Sequence, residues 1–244
     1  MMKTQSKFFY YNTDEWCYIF RLPDDTIKYL WKQIENAKQK KNSYKDRLVG
    51  VVHSSLALDD PDQLFANKII PTTLAQTPQR YAKHPQRLIE KAYSTFFTST
   101  ERLGLLHSIP KFKTESWVNF QRKYEYNPVH FHAGLLSYVV WMRIPYDHEN
   151  EKRLPFSRDV GSTKTVYENE SHLIQSAGQS KAESIGNFCF VSKEYNQHHT
   201  VIMNKGMEGM CTIFPASFSH TVYPFYTSDE ERVTIAGNAF IKLE

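Results

Sequence analysis

The sequence predicts an α+β chain, a helical N-terminal part packed on a jelly roll or similar double sheet. Three observations carry this. Apolar residues recur at helical spacing in the first hundred or so positions; from Glu115 the pattern changes to short runs of β-branched and aromatic residues. Aromatic residues make up 14% of the chain, with 15 Tyr and 16 Phe, which suits a sheet-based core.

Leu22-Pro23-Asp24-Asp25 offers an N-cap, and Ile27, Leu30, Trp31, Ile34 and Ala37 follow at helical spacing, so residues 24 to 40 form an amphipathic helix. A second helical pattern starts near Pro85, runs through Leu88, Ile89, Ala92, Tyr93, Phe96 and Phe97, and ends near Gly104; a weaker third covers Leu64 to Thr72. Strands are expected at Trp117 to Gln121, Leu135 to Ile144, Gly186 to Val191, Met210 to Pro215 and Val233 to Phe240. Residues 146–185 are polar without a sustained apolar period and read as an insertion, either a lid or a disordered loop. The expectation is one domain over 1–244, with 1–113 as mainly helical support and 114–244 as the β core.

A chain of 244 residues buries roughly 70% of its unfolded surface without covalent staples. Cys17, Cys189 and Cys211 are odd in number and never spaced as CxxC, which argues against a disulfide framework or a thiolate metal site and for a reducing, cytoplasmic setting. No apolar run approaches the ~20 residues of a membrane span, and the first residues lack the order of a signal peptide. The formal charge is +4, and the one basic cluster, Lys38, Lys40 and Lys41, falls where it complements a helix dipole, so nucleic acid has no strong signal. Neither GxGxxG nor a P-loop pattern is present, which disfavours a nucleotide-phosphate enzyme.

The chemistry concentrates in His130-Phe131-His132-Ala133-Gly134, in His220, and in Arg232 twelve residues after it. Asn127-Pro128 biases the chain to an extended conformation, in which residues i and i+2 face the same side. Neutral imidazoles are good ligands for iron and leave positions open for other molecules. An HxH pair alone is equally compatible with a solvated surface strand, His220 with a structural role, and Arg232, after Asp229-Glu230-Glu231, with surface ion pairs. Metal ligands together with a fork-shaped cation for a carboxylate are the minimum equipment of an iron enzyme that uses a 2-oxo acid. Adjacent His198 and His199 point to opposite faces of an extended chain, His148 and His172 sit in the polar insertion where solvated histidines are normal, and Cys211 reads as an apolar filler.

The segments WVNFQRKYEYNPVHFHAGLLSYVVWMRIPYD and GMCTIFPASFSHTVYPFYTSDEERVTIAGN closely resemble the iron(II) and 2-oxoglutarate-dependent oxygenases of T4-like marine phages and related bacterial proteins. The resemblance covers most of residues 115–145 and 206–238 and implies a double-stranded β-helix with iron at one mouth. His220 matches the distal metal ligand, and Arg232 matches the partner of the far carboxylate of 2-oxoglutarate. The proximal motif departs from the HxD or HxE pattern. Either His130 and His132 both bind, giving three neutral ligands, or His132-Ala133-Gly134 is an HxG arrangement with two histidines and water.

The resemblance implies Fe(II), 2-oxoglutarate and O2 as cofactors and hydroxylation with release of succinate and CO2, with halogenation left open. Trp117, Gln121 and Asn238 are candidate pocket residues and Asn119 and Ser137 candidate contacts to the keto acid, although each also makes sense as a core or rim residue. The substrate is expected to be a small molecule, amino acid or peptide, in the cytoplasm, of an infected host if phage-encoded. Two other readings stand beside this one: a catalytically silent β-sandwich binding or phage structural protein, and a three-histidine cupin-type enzyme that does not use 2-oxoglutarate.

Overall fold

Among the described residues two antiparallel sheets, one of seven strands and one of four, enclose one apolar core, and a second lies between the larger sheet and a helix. A computed structural model of the chain describes residues 6–12, 14–77, 83, 85–90, 111–155, 184–194 and 198–242. In chain order the elements are β1 (Ser6–Asn12), β2 (Glu15–Arg21), α1 (Asp24–Lys40), β3 (Ser54–Ala57), α2 (Ile70–Gln76), β4 (Phe112–Gln121), β5 (Asn127–His130), β6 (Leu136–Arg143), α3 (His148–Glu151), β7 (Phe188–Val191), β8 (His198–Val201), β9 (Met210–Pro215), β10 (His220–Val222) and β11 (Arg232–Ile241).

The large sheet runs β1-β2-β9-β6-β11-β4-β3 and the small one β5-β10-β7-β8. From β4 onward the chain therefore visits large, small, large, small, small, large, small, large. That winding is a double-stranded β-helix, a closed form of the jelly roll. β11 is a long interior strand, paired along its length with β4 (Arg232 opposite Gln121 through to Ile241 opposite Phe112) and on its other edge with β6.

Alternation along these strands feeds two cores. On β4, Val118 and Phe120 face outward with Tyr138, Val140 and Ile235 toward α1, whereas Trp117 faces inward with Val139, Trp141 and Ala236 toward the small sheet. With both faces covered, β6 is buried from Leu136 to Met142 and reads as a continuous apolar run. α1 contributes Leu30, Ile34 and Ala37, and burying each of the two larger side chains is worth about 1.5–3 kcal/mol.

The expected helix at 24–40 is α1, with one correction. Its cap is Pro23 without a side-chain hydrogen bond; Asp24 and Asp25 in the first turn and Lys38 and Lys40 in the last complement its dipole instead. The weaker third helix exists as a wide turn over Phe65–Ile69 continuing into α2. Pro71 sits at the start of α2, where its missing N–H removes one rung of the ladder and accommodates the irregular turn. The second pattern is helical at residues 85–90, and its remainder to Gly104 lies outside the described residues, as do His172 and 156–183 of the polar insertion.

β1, β2 and β3 were not expected, and they make the first part of the chain less helical than the sequence suggested. They extend the large sheet at both edges. β2 is buried on both faces from Glu15 to Ile19, so it shows no period of two to read. His148 is a second correction. It is buried, at 2% exposure, with its ring against the Ile185 carbonyl and the Asn187 amide, because α3 folds inward. The Glu151 carboxylate on that turn accepts hydrogen bonds from the backbone N–H groups of Tyr226 (2.8 Å) and Thr227 (2.9 Å). All three cysteines are free and buried. Among the described residues no helix is long and apolar enough to cross a membrane.

Candidate metal centre

β5 ends at His130, which lies directly opposite His220 on β10. His132 is two residues past the end of the strand rather than on it, and its N–H donates to the Ala216 carbonyl at 2.8 Å, which fixes the turn against the large sheet. Gly134 follows with φ +104°, and a Cβ there would meet the Ala239 carbonyl oxygen at 2.9 Å, so the turn that presents His132 requires glycine.

One ring nitrogen from each of His130, His132 and His220 lies within 4.8 Å of the others. The Nδ1–H of His130 donates to the Pro128 carbonyl (2.7 Å) and that of His220 to the Phe218 carbonyl (3.1 Å). This choice of tautomer leaves each Nε2 with its lone pair free, the arrangement that orients histidines for a metal. The Nε2 atoms of His132 and His220 are 3.1 Å apart. Two nitrogens at right angles about one divalent cation, each about 2.1 Å from it, would be separated by about 3 Å, so the cluster fits an ion. Phe188 stacks on His220 (centroids 5.3 Å apart, 18°), and Phe214 meets it edge-on, so its ring has little freedom.

Burial is the leading reason that all three imidazoles resist protonation. His220 is held well below the ordinary histidine range by desolvation and then by His130 and His132; His132 is pushed down to about 4 by desolvation and then by His130; His130 is lowered by desolvation. The neutral form that binds metals is therefore the form present at neutral pH.

Arg232, the first residue of β11, is 2% exposed. Its Nε and Nη2 donate to Gln121 Oε1 (3.2 and 2.7 Å), Nη2 also to the Tyr223 carbonyl (3.2 Å), and Nη1 to the Gly186 carbonyl (2.9 Å) and the Tyr146 hydroxyl. Every one of these acceptors is neutral. The preceding acids pair elsewhere: Asp229 with Lys123 and Glu231 with Arg122. Among the described residues no carboxylate forms an ion pair with this buried cation, and a carboxylate is the partner its fork fits.

The three histidines and Arg232 line one cavity with about 820 Å³ of empty space, counting its open mouth. Trp117, Asn119 and Gln121 alternate along β4 into it. The Asn119 side-chain oxygen accepts from Ser55 Oγ at 2.9 Å. Ser137 and Asn238 are register partners on β6 and β11; Ser137 Oγ donates to Asn238 Oδ1 at 3.0 Å, and neither lines the cavity. His199 is packed 4.0 Å from the Phe9 ring, apart from the cluster. Tyr146, Tyr223 and Gly186 reach Arg232 from the flanks of the polar insertion and from the loop after β10; nothing in their spacing marks them.

A family model for a 2OG-Fe(II) oxygenase matches residues 115–238, the stretch from β4 into β11 that builds the double-stranded β-helix and contains all three histidines and Arg232. The chain belongs to this 2OG-Fe(II) oxygenase family. As a 2OG-Fe(II) oxygenase it is an oxidoreductase whose cofactors are Fe(II), 2-oxoglutarate (2OG) and O2, and its cavity offers three imidazoles for the metal. The oxygenase has no match among curated proteins. Among solved structures it is similar to a Pseudomonas putida prolyl-4-hydroxylase (13% identity over 91% of this chain and 89% of that one, TM-score 0.45). It is also similar to dioxygenase for auxin oxidation 1 from Arabidopsis thaliana in its 2-oxoglutarate complex (10% identity, 92% and 84%, TM-score 0.36). A Burkholderia pseudomallei oxidoreductase of the 2OG-Fe(II) oxygenase family matches at 11% identity over 62% and 57% of the two chains, with a TM-score of 0.35.

Proposed function

We propose that the protein is a 2OG-dependent dioxygenase that hydroxylates a small organic substrate, releasing succinate and CO2. The single observation that carries this reading is the convergence on one cavity of three neutral imidazoles and a buried arginine whose hydrogen-bond acceptors are all neutral. His130, His132 and His220 are assigned to hold Fe(II), and Arg232 to hold the far carboxylate of 2OG. When bound, the iron and keto acid would supply the electrons that activate O2, one of whose atoms ends in succinate and the other in a C–H bond of the substrate. The chain's own residues do the rest. Trp117, Trp141 and Phe188 keep water from the histidines, and the packed rings hold the nitrogens in place before anything binds.

Ligand count favours hydroxylation over halogenation. With His130, His132 and His220 all available to hold the ion, the protein would leave no vacancy among its own ligands for a halide. With this reading go one oxygenase domain over the whole chain, a cytoplasmic setting in keeping with three unpaired cysteines, and the affinity to the marine-phage group suggested by the two sequence segments.

Anaerobic addition of Fe(II) and then 2OG to the purified protein tests the reading. A weak visible charge-transfer band is expected, and His220→Ala should abolish it. A protein that binds iron yet shows no band on saturation with 2OG would not be a 2OG-dependent enzyme.

A further inference from the structure

Among the described residues the cavity lining contains two arginines and not a single Asp or Glu. Arg232 lies deep. Arg47 stands at the mouth, at the end of a short turn over Lys45–Arg47. Its guanidinium carbon sits 5.3 Å over the Tyr44 ring, Tyr44 stacks flat on Trp117 (5.0 Å, 7°), and Trp117 lies 5.8 Å from His132. Arg47 is thus the outer end of a row of rings that begins at the metal cluster. Among the described residues it is in no ion pair; it shares the Tyr44 hydroxyl with Glu115, whose carboxylate accepts from that hydroxyl at 3.4 Å. Around it the rim is apolar, with Leu48, Val49 and Phe131 lining the opening and the last two 61% and 64% exposed.

The charge balance of the site points the same way. An oxygenase with a carboxylate ligand cancels its iron, its arginine and the two charges of 2OG. Three neutral imidazoles leave one positive charge standing, in a pocket walled by aromatic rings where it is poorly screened. Arg47 adds another at the mouth.

We propose that the substrate is a small organic anion, a carboxylate or phosphate on an apolar body, and that Arg47 holds the anionic group while the body lies over Trp117 toward the histidines. The proposal rests on the 2OG-dependent reading. A guanidinium suits either oxyanion because it offers paired donors to both. Asn127, whose side-chain oxygen lines the same cavity without a hydrogen-bond partner among the described residues, would accept from a hydroxyl or N–H on the substrate's body.

The test splits a small-molecule cell extract on an anion exchanger and adds each fraction to the protein with Fe(II), 2OG and O2, with succinate formation as the readout. The retained fraction alone should stimulate it. Arg47→Ala should reduce that stimulation about tenfold, the size of one charge-assisted hydrogen bond, and Arg47→Lys by less. Phosphatase treatment that abolishes the effect assigns a phosphate, and survival of the effect assigns a carboxylate. Stimulation by the unretained fraction, by neither fraction, or equally in Arg47→Ala overturns the proposal. The anaerobic charge-transfer band, recorded on the same samples, separates the cases: if it forms and the anion response fails, only the Arg47 assignment falls; if it never forms, the 2OG reading falls and takes the assignment with it.

Discussion

Gln121 and Arg232 stand opposite one another on β4 and β11, and a single oxygen of Gln121 accepts two hydrogen bonds from the guanidinium, at 3.2 and 2.7 Å. The neutral amide orients the arginine without cancelling its charge. Gln121→Glu would place a carboxylate directly on the guanidinium from within the protein. The affinity for 2OG, read from the charge-transfer titration, should then fall by at least about tenfold, as expected when a buried charge pair competes with the ligand. Unchanged affinity would mean that Arg232 is not the site of the far carboxylate.

His130 decides between a three-histidine and a two-histidine metal site. Its Nδ1–H is already committed to Pro128, and its other nitrogen points into the cluster. His130→Ala should weaken Fe(II) binding by at least about tenfold in calorimetry, comparable to or greater than the loss of an outer-shell partner, with the circular dichroism spectrum preserved. A change of less than about twofold would leave His132 and His220 as the protein ligands.

Gly237 lies where β11 crosses the Tyr138 ring. A Cβ there would come within 2.3 Å of Tyr138 Cζ and hydroxyl oxygen and 2.5 Å of the Glu115 carbonyl, and would break the 2.6 Å contact between Tyr138 and Ser116. Gly237→Ala should destabilise the protein by about 1–3 kcal/mol or more, as overpacking of a tight core does. For a chain of this size the melting temperature should drop by roughly 2–4 °C per kcal/mol, and a variant melting like the parent would show that the sheet yields there.

Acid should destabilise the metal-free protein through the same imidazoles. Their proton affinities are lower folded than unfolded, so the folded state binds fewer protons and its advantage is complete above the unfolded value of about 6.5. That advantage is lost as pH falls from there toward about 4, the folded value of His132. Urea unfolding at a series of pH values should show the decline, and His132→Asn should flatten it. A parent protein equally stable at pH 7 and 5 would contradict the assignment.

α1 was legible because its apolar positions keep one period and its ends carry complementary charge. The inward-facing half of the site was legible as well, since His130, His132, His220 and Arg232 carry chemistry that few other settings need. β2 was not, because both its faces are buried and its alternation is erased. Nor were Tyr146, Gly186 and Arg47. Each acts through a position the chain acquires only when loops fold back: a hydroxyl and a carbonyl beside the insertion, and a guanidinium raised on a stack of rings. Ser137 and Asn238 show the opposite case, since correct facing along a strand did not bring them as far as the cavity.

The pairing of His130 with His220, and of Gln121 with Arg232 across 111 residues, has a consequence for how the protein is made. During synthesis β4, β5 and β6 emerge long before β10 and β11, so the nascent chain carries two histidines and a half-finished sheet with no third ligand and no arginine. Contacts this distant in sequence close slowly. Iron offered early would meet an incomplete chelator, and the whole centre would come into being in one late step, when the last two strands slot between their waiting neighbours.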